Sequence, residues 1–257
     1  MKRIHTFLNA FFIGLLILGF NSCKKGHYGD CFKSNGPIVS ETRVPGTFTR
    51  IITENKIDVE VLQGNEYKVE VIAGKNIIKH ILTEIQGDTI LKIENTNRCN
   101  FVRGYKKNIQ VKVTMPYLSW IGNYGVGTIR INAAFKQDSL LFVRNENSGD
   151  TYISGQYKTL ATSSHGNGNI LLSGSAKELF VYMKGTNFTY AEDLIVSDYV
   201  LIDSYSIGDA YINLANTKTF NYNLWKSGSI YYSGNPQALV NLSAGESLGK
   251  GKLVKLD

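Results

Sequence analysis

A chain of 257 residues with 43% hydrophobic and 19% charged residues can bury a substantial core, and it is too apolar to be intrinsically disordered. Setting aside Lys2 and Arg3 with the leader takes the formal charge from +7 to +5; no dense basic run remains, so a nucleic-acid partner is not expected. The 25 Gly, 4 Pro and 15 Tyr suit many short strands joined by tight turns, with Tyr on half-exposed strand faces.

Lys2 and Arg3 form a positive start, and Phe7 to Phe20 form an apolar stretch interrupted by Asn9. That stretch is shorter than the ~20 residues a bilayer-spanning helix needs, so residues 1–22 are expected to be a cleaved signal peptide. Ser22-Cys23 follows at once and resembles the lipobox of bacterial lipoproteins, in which the Cys becomes the lipidated first residue; Phe20 departs from the usual Leu, Val or Ile. Cys23 is thus the expected lipidation site, residues 23–38 a tether, and the cell envelope the compartment, with the outer membrane holding the chain through its lipid. Buried acyl methylenes contribute about 0.8 kcal/mol each, so several chains anchor stably. In an oxidising envelope the two remaining thiols, Cys31 and Cys99, are expected to form a disulfide, which stabilises by roughly 4 kcal/mol in the chain-entropy reading. A metal site is the competing use, but no His stands at ligand spacing from either Cys.

Residues 39–117 read as an N-terminal β region. Ile57, Val59 and Val61 alternate with Asp58 and Glu60, and Tyr67, Val69 and Val71 alternate with Lys68 and Glu70. Gln63-Gly64-Asn65 between them predicts a hairpin. Ile90, Leu91 and Ile93 follow Gly87-Asp88, and Ile109, Val111 and Val113 form a further run. Ile77 to Ile85 has helical spacing, but it is short and rich in β-branched residues.

Residues 118–257 carry a repeat. Gly-x-Gly, sometimes with Asn or Ser in a Gly slot, recurs seven times, its third position falling at 127, 149, 168, 187, 208, 228 and 251. A period near 20 predicts a solenoid. Two residues after each third position stand Ile129, Thr151, Ile170, Thr189, Ala210, Ile230 and Leu253, and two further on Ile131, Ile153, Leu172, Ala191, Ile212, Tyr232 and Lys255. These columns share one strand face and should point inward, while the residues between them, including Tyr152, Tyr190, Tyr211 and Tyr231, should point outward. Seven coils ~4.8 Å apart would make a rod about 34 Å long. The corner Gly is expected to supply positive φ. The 39–117 region is expected to continue into this solenoid as one domain.

The corner motif, the segments Asn147-Ser-Gly-Asp-Thr-Tyr-Ile-Ser-Gly155 and Ile230-Tyr-Tyr-Ser-Gly-Asn-Pro236, and an ordered N-terminal series resemble the head GIN domain family of auto-transporter adhesin-like proteins. That series is Gln63-Gly64-Asn65-Glu66-Tyr67, Arg98-Cys99-Asn100, Tyr105-Lys106-Lys107 and Val113-Thr114-Met115-Pro116. The likeness spans roughly residues 40 to 255; Asn187-Phe188-Thr189, without its corner Gly, departs from it. It implies an all-β, right-handed parallel β-helix, exported and often lipid-anchored. An adhesin label follows from fold, and fold alone does not fix function.

No catalytic constellation stands out, so no catalytic residue, metal ligand or cofactor is assigned. Asp150 and Asp209 follow their corner Gly, yet Thr, Asn, Phe, Ser and Lys share that column, as expected of turn capping. Asp203 has no visible partner, and His165 at a corner reads as exposed filler. The pattern lacks the nine-residue Gly-Asp repeat of calcium solenoids. Tyr152, Tyr190, Tyr211 and Tyr231 form a column suited to sugar faces or a surface protein, or else to strand stacking alone. The expectation is a non-catalytic binding or adhesion module; a carbohydrate-active enzyme on a β-helix and a structural envelope protein are the alternatives.

Overall fold

The computed structural model describes residues 34–97, 109–243 and 249–256. The signal segment, Cys23, Cys31 and Cys99 lie outside the described residues, as does Tyr105-Lys106-Lys107. The described chain begins with β1 (Ile38–Arg43), β2 (Arg50–Thr53), β3 (Ile57–Gln63), β4 (Lys68–Gly74), β5 (Ile81–Gln86) and β6 (Ile90–Asn95). Next come β7 (Ile109–Met115), β8 (Trp120–Asn123), β9 (Ile129–Ile131), β10 (Lys136–Asn145), β11 (Thr151–Ser164), β12 (Ile170–Gly185) and β13 (Thr189–Ser206). β14 (Ala210–Asn213), β15 (Thr219–Leu224), β16 (Ile230–Ser233), β17 (Ala238–Asn241) and β18 (Leu253–Lys255) follow. The stretch with helical spacing supplies a single 3-10 turn, Ile78–His80, before β5 takes over.

The strands wind into a β-solenoid with two parallel sheets. Sheet A stacks β7, β3, β9, then the first halves of β11, β12 and β13, then β14, β16 and β18. Sheet B stacks β6, β2, β8, β10, the second halves of β11 to β13, then β15 and β17. Both sheets run without a break from the N-terminal region into the repeat. The sequence columns are seen in sheet A: Thr151 pairs with Ile129 and Ile170, Thr189 with Ala210, and Ile230 with Leu253, but their burial fails at the last coils, where Tyr232 and Leu253 are half-buried and Lys255 is exposed. A second sheet on every coil was not foreseen.

The N-terminal coils also depart from expectation. The Gln63-Gly64-Asn65 hairpin does not form; β7 lies between β3 and β4, parallel to the first and antiparallel to the second. Val111 and Val113 are fully buried there, which a strand at the sheet edge would not achieve. Gly64 is needed where the chain leaves β3, because a Cβ would come within 2.5 Å of Thr114 Cγ2. β1 pairs antiparallel with β4, and β5 with β6, so antiparallel strands close this end. Arg43 ties that closure together, its guanidinium donating to Thr83 Oγ1 (3.1 Å) and the Ile78 carbonyl (3.2 Å).

The corner glycines serve a purpose other than the expected one. Gly127, Gly149, Gly168, Gly208, Gly228 and Gly251 do not have positive φ; among the corner motifs it occurs at Gly185, in the first slot, and outside them at Gly36, Gly46, Gly87, Gly155, Gly174 and Gly234. What they require is closeness. A Cβ on Gly149 would lie 2.0 Å from the Gly127 carbonyl oxygen, on Gly168 2.4 Å from that of Gly149, and on Gly228 2.2 Å from that of Gly208. The carbonyls so crowded are satisfied from inside. Asn123 and Asn145 donate to Gly127 and Gly149 oxygens at 2.9 Å, and Ser206 donates to the Asn187 oxygen at 3.1 Å. Asn187, in the slot that lacks Gly, is fully buried and donates to the Gly166 and Lys184 carbonyls at 2.9 and 2.8 Å. The next column reaches from coil to coil: Asp58, Asp150 and Asp209 each accept the N–H of the equivalent residue one coil on, at 2.9, 2.8 and 2.7 Å.

The uneven repeat length has a local cause. β12 and β13 pair with register shifts at Leu171/Ser173 and Ala176/Glu178, each adding one residue to the β13 coil. Corner spacing therefore rises from 19 residues (168 to 187) to 21 (187 to 208). Gly208→Ala tests the close-approach argument, since its Cβ would sit 2.1 Å from the Asn187 carbonyl oxygen, which is backbone and cannot swing away. We expect a loss on the order of 3 kcal/mol, read as a fall in Tm of about 10 °C. An unchanged melt would sink the argument.

Candidate binding surface

In-register stacking turns each outward position into a stripe along the solenoid. The central stripe of sheet A runs Glu60, Arg130, Tyr152, Leu171, Tyr190, Tyr211, Tyr231 and Val254. All four tyrosines singled out in the sequence face outward and are half-buried. The structure gathers three of them. Tyr190 and Tyr211 stack at 5.4 Å and 8°, Tyr211 and Tyr231 at 5.0 Å and 11°. Leu171 separates Tyr152 from that stack, and the Arg130 guanidinium lies 3.8 Å from the centre of the Tyr152 ring. Both faces of Tyr211 are taken by neighbouring rings, so the stripe offers ring edges and phenol hydroxyls to solvent. Partial burial, then Asp209 and the adjacent tyrosines, raises the Tyr211 pKa above its usual value, keeping its hydroxyl a donor.

Sheet B carries a second aromatic strip that sequence reasoning missed. His165 packs on Tyr182 (5.4 Å), Tyr182 on Tyr205 (5.8 Å), and Tyr205 stacks on Trp225 at 5.4 Å and 15°. Asp203, partnerless in the sequence, accepts from Trp225 Nε1 at 2.8 Å and fixes that ring. His165 is half-buried rather than exposed filler, and its Nε2 shares a 2.8 Å hydrogen bond with Ser163 Oγ. Partial desolvation and then the Asp203 carboxylate raise the Tyr205 pKa. A signal existed: Tyr182, Tyr205 and Trp225 recur at intervals of 23 and 20, close to the coil period.

Ser163 and His165 sit on the outer face of a sheet, and the neighbouring Glu146 is engaged by Arg144. Among the described residues no three His, Cys, Asp or Glu side chains converge as metal ligands, and no helix is long and apolar enough to cross a membrane. Arg144 with Glu146 and Lys92 with Glu54 and Glu94 are partly exposed pairs that add little stability each.

These features define a β-solenoid that presents striped outer faces. The chain belongs to the head GIN domain family: the family described as "Putative auto-transporter adhesin, head GIN domain" matches residues 47–236. No curated protein matches the chain. A solved structure from Bacteroides fragilis, described as a "putative adhesin", has a TM-score of 0.72 at 20% identity, covering 86% of this chain and 97% of its own. One from Parabacteroides distasonis, also a "putative adhesin", has a TM-score of 0.62 at 17% identity, covering 86% of this chain and 98% of its own. A "Putative lipid binding protein" from the same organism gives 0.62 and 17%, covering 87% and 98%. At such identities the shared property is the fold.

Ile212 is 2% exposed while Tyr211 beside it faces out. Ile212→Asp buries an unpaired charge and should cost several kcal/mol. Tyr211→Ser loses two ring stacks and should cost about 1–2 kcal/mol. Thermal melts should therefore rank Ile212→Asp as the more damaging; the opposite ranking would contradict the register.

Proposed function

We propose that the chain is a cell-envelope lipoprotein whose solenoid is a non-catalytic binding or adhesion module. The observation that carries this reading is the pair of aromatic stripes, Tyr190–Tyr211–Tyr231 on sheet A and Tyr182–Tyr205–Trp225 on sheet B. Rigid aromatic rows edged by hydroxyls, Asp203 and His165 suit a glycan or a surface protein, because such side chains bury large area with little conformational freedom to lose. Their order is fixed by the coil before any partner arrives, which lowers the cost of binding. The family description supports an adhesive role at a surface or envelope. Lipidation at Cys23 would hold the module on the outer membrane, and a Cys31–Cys99 disulfide would tie its N-terminal arm to the first coils. Uptake of a lipid into the coil interior is not our reading, since Phe48, Phe135 and Phe220 fill it and are at most 1% exposed.

Two measurements test the proposal. Cys23→Ala should move the protein from the membrane to the soluble fraction; persistence on the membrane without lipid would refute the anchor. Purified mature protein, applied to immobilised glycans and surface proteins, should bind without cleaving, and Tyr205→Ala with Trp225→Ala should weaken binding at least tenfold, ~1.4 kcal/mol. Chain cleavage of a polysaccharide would replace the module with an enzyme.

A further inference from the structure

A third side of the solenoid, where sheet A turns into sheet B, holds an open depression of about 480 Å³. Register shifts bracket it, between Gln137 and Leu140 on β10 and between Val196 and Tyr199 on β13, opposite Ala176 and Glu178. Bulges of this kind bend strands and re-aim side chains. Tyr157 and Ala176 lie buried beneath it, and Gln156 and Ser175 line it with a carboxamide and a hydroxyl.

Lys136, Lys158 and Lys177 line the same depression, against the single carboxylate of Asp138. Tyr157 pairs with Ala176 and Thr159 with Glu178, so Lys158 and Lys177 occupy one register position on successive coils, with backbones ~4.8 Å apart. All three lysines are exposed, and among the described residues none forms an ion pair. Glu178 accepts the Thr159 hydroxyl at 2.9 Å instead. Three other lysines do meet carboxylates: Lys92 with Glu54 and Glu94, Lys112 with Glu60, and Lys218 with Asp198. Stacked like charges repel, and an anion between them would relieve that repulsion.

We propose that this corner is a binding site for an acidic polysaccharide, a chain of uronic-acid type lying along the solenoid axis with its carboxylates between Lys158 and Lys177. The net positive charge of the depression complements such a chain. Gln156 and Ser175 suit the hydroxyls of its sugar rings. A bilayer fits less well, because the cations line a concave corner instead of a flat, dense basic surface. The inference rests on the binding-module reading but not on either aromatic stripe.

The test uses the full mature protein with four probes: sodium polygalacturonate, its methyl ester, phosphatidylglycerol vesicles and inorganic phosphate. Wild type should bind polygalacturonate, lose it as salt is raised, and bind the uncharged ester at least tenfold more weakly. Lys158→Ser with Lys177→Ser should lose at least tenfold in affinity. Lys177→Glu should do the same while keeping the Tm of the wild type, because it sets opposite charges side by side. Equal binding by these variants, equal binding of the ester, preference for vesicles or for phosphate, or no polygalacturonate binding would each overturn the assignment. If neutral glycans bind through Tyr205 and Trp225 while polygalacturonate does not, this inference alone fails and the module survives.

Discussion

Backbone touches backbone at the glycine corner of coil after coil, and the rest of the molecule follows from that contact. Where Gly149 lies on Gly127, or Gly228 on Gly208, a methyl group would lie 2.0–2.2 Å from a carbonyl oxygen. Side chains are excluded where Gly fills this slot, and only Asn187 places one there, turned inside to bond the Gly166 and Lys184 carbonyls. Close approach in turn crowds carbonyls that water cannot reach, so Asn123, Asn145 and Ser206 are drawn inside as donors. A buried amide is expensive unless bonded. Here it answers an acceptor that would otherwise be left unmet, and the interior polar column and the glycine column are two halves of one arrangement.

Fixed spacing makes the register rigid, and a rigid register converts sequence columns into surface stripes. Aromatic residues that recur once per coil have little choice but to stack, as Tyr190, Tyr211 and Tyr231 do within 11° of parallel. The same arrangement limits what such a stripe can recognise. A ring covered on both faces cannot lie flat on a sugar, so the stripe acts through edges and hydroxyls. Trp225, stacked on Tyr205 and held by Asp203, is set more firmly than a stripe of rings alone could set it.

Sheet A was legible because each of its repeat strands begins two residues after the corner slot, a glycine everywhere but at Asn187, which keeps the inward and outward columns in phase over seven coils. Sheet B was not, because its residues lie beyond the shifts at Leu171/Ser173 and Ala176/Glu178, where counting from the glycine slips by one and then by two. The error about positive φ has a similar source: sequence names a glycine but not which of its two uses applies, and here the need comes from a carbonyl one coil away. Order within the N-terminal coils was illegible for a different reason. The alternation in β3, β4 and β7 shows that each is a strand with a buried face, yet nothing local says that β7 inserts between the other two. Nearness in sequence favours a hairpin; burial of Val111 and Val113 favours the inserted strand, and burial prevails.

Charge obeys the same geometry as aromaticity, with the opposite sign. A solenoid places equivalent residues one coil spacing apart, so a repeated lysine becomes a stacked pair of like charges unless the sequence breaks the repeat. Along this molecule it does so: Lys112 faces Glu60, and Lys218 meets Asp198 at 2.6 Å across one coil. Exposed pairs of this kind contribute little to stability, and their use is to prevent repulsion. Lys158 and Lys177 depart from that rule beside a concavity opened by register shifts on both sides. An exposed repulsion is a small cost for the fold, but any anion that removes it gains by the same amount on binding. On a scaffold where Lys112 and Lys218 meet carboxylates across a coil, a like-charged stack beside an open groove marks where an outside partner, and not the chain, supplies the missing charge.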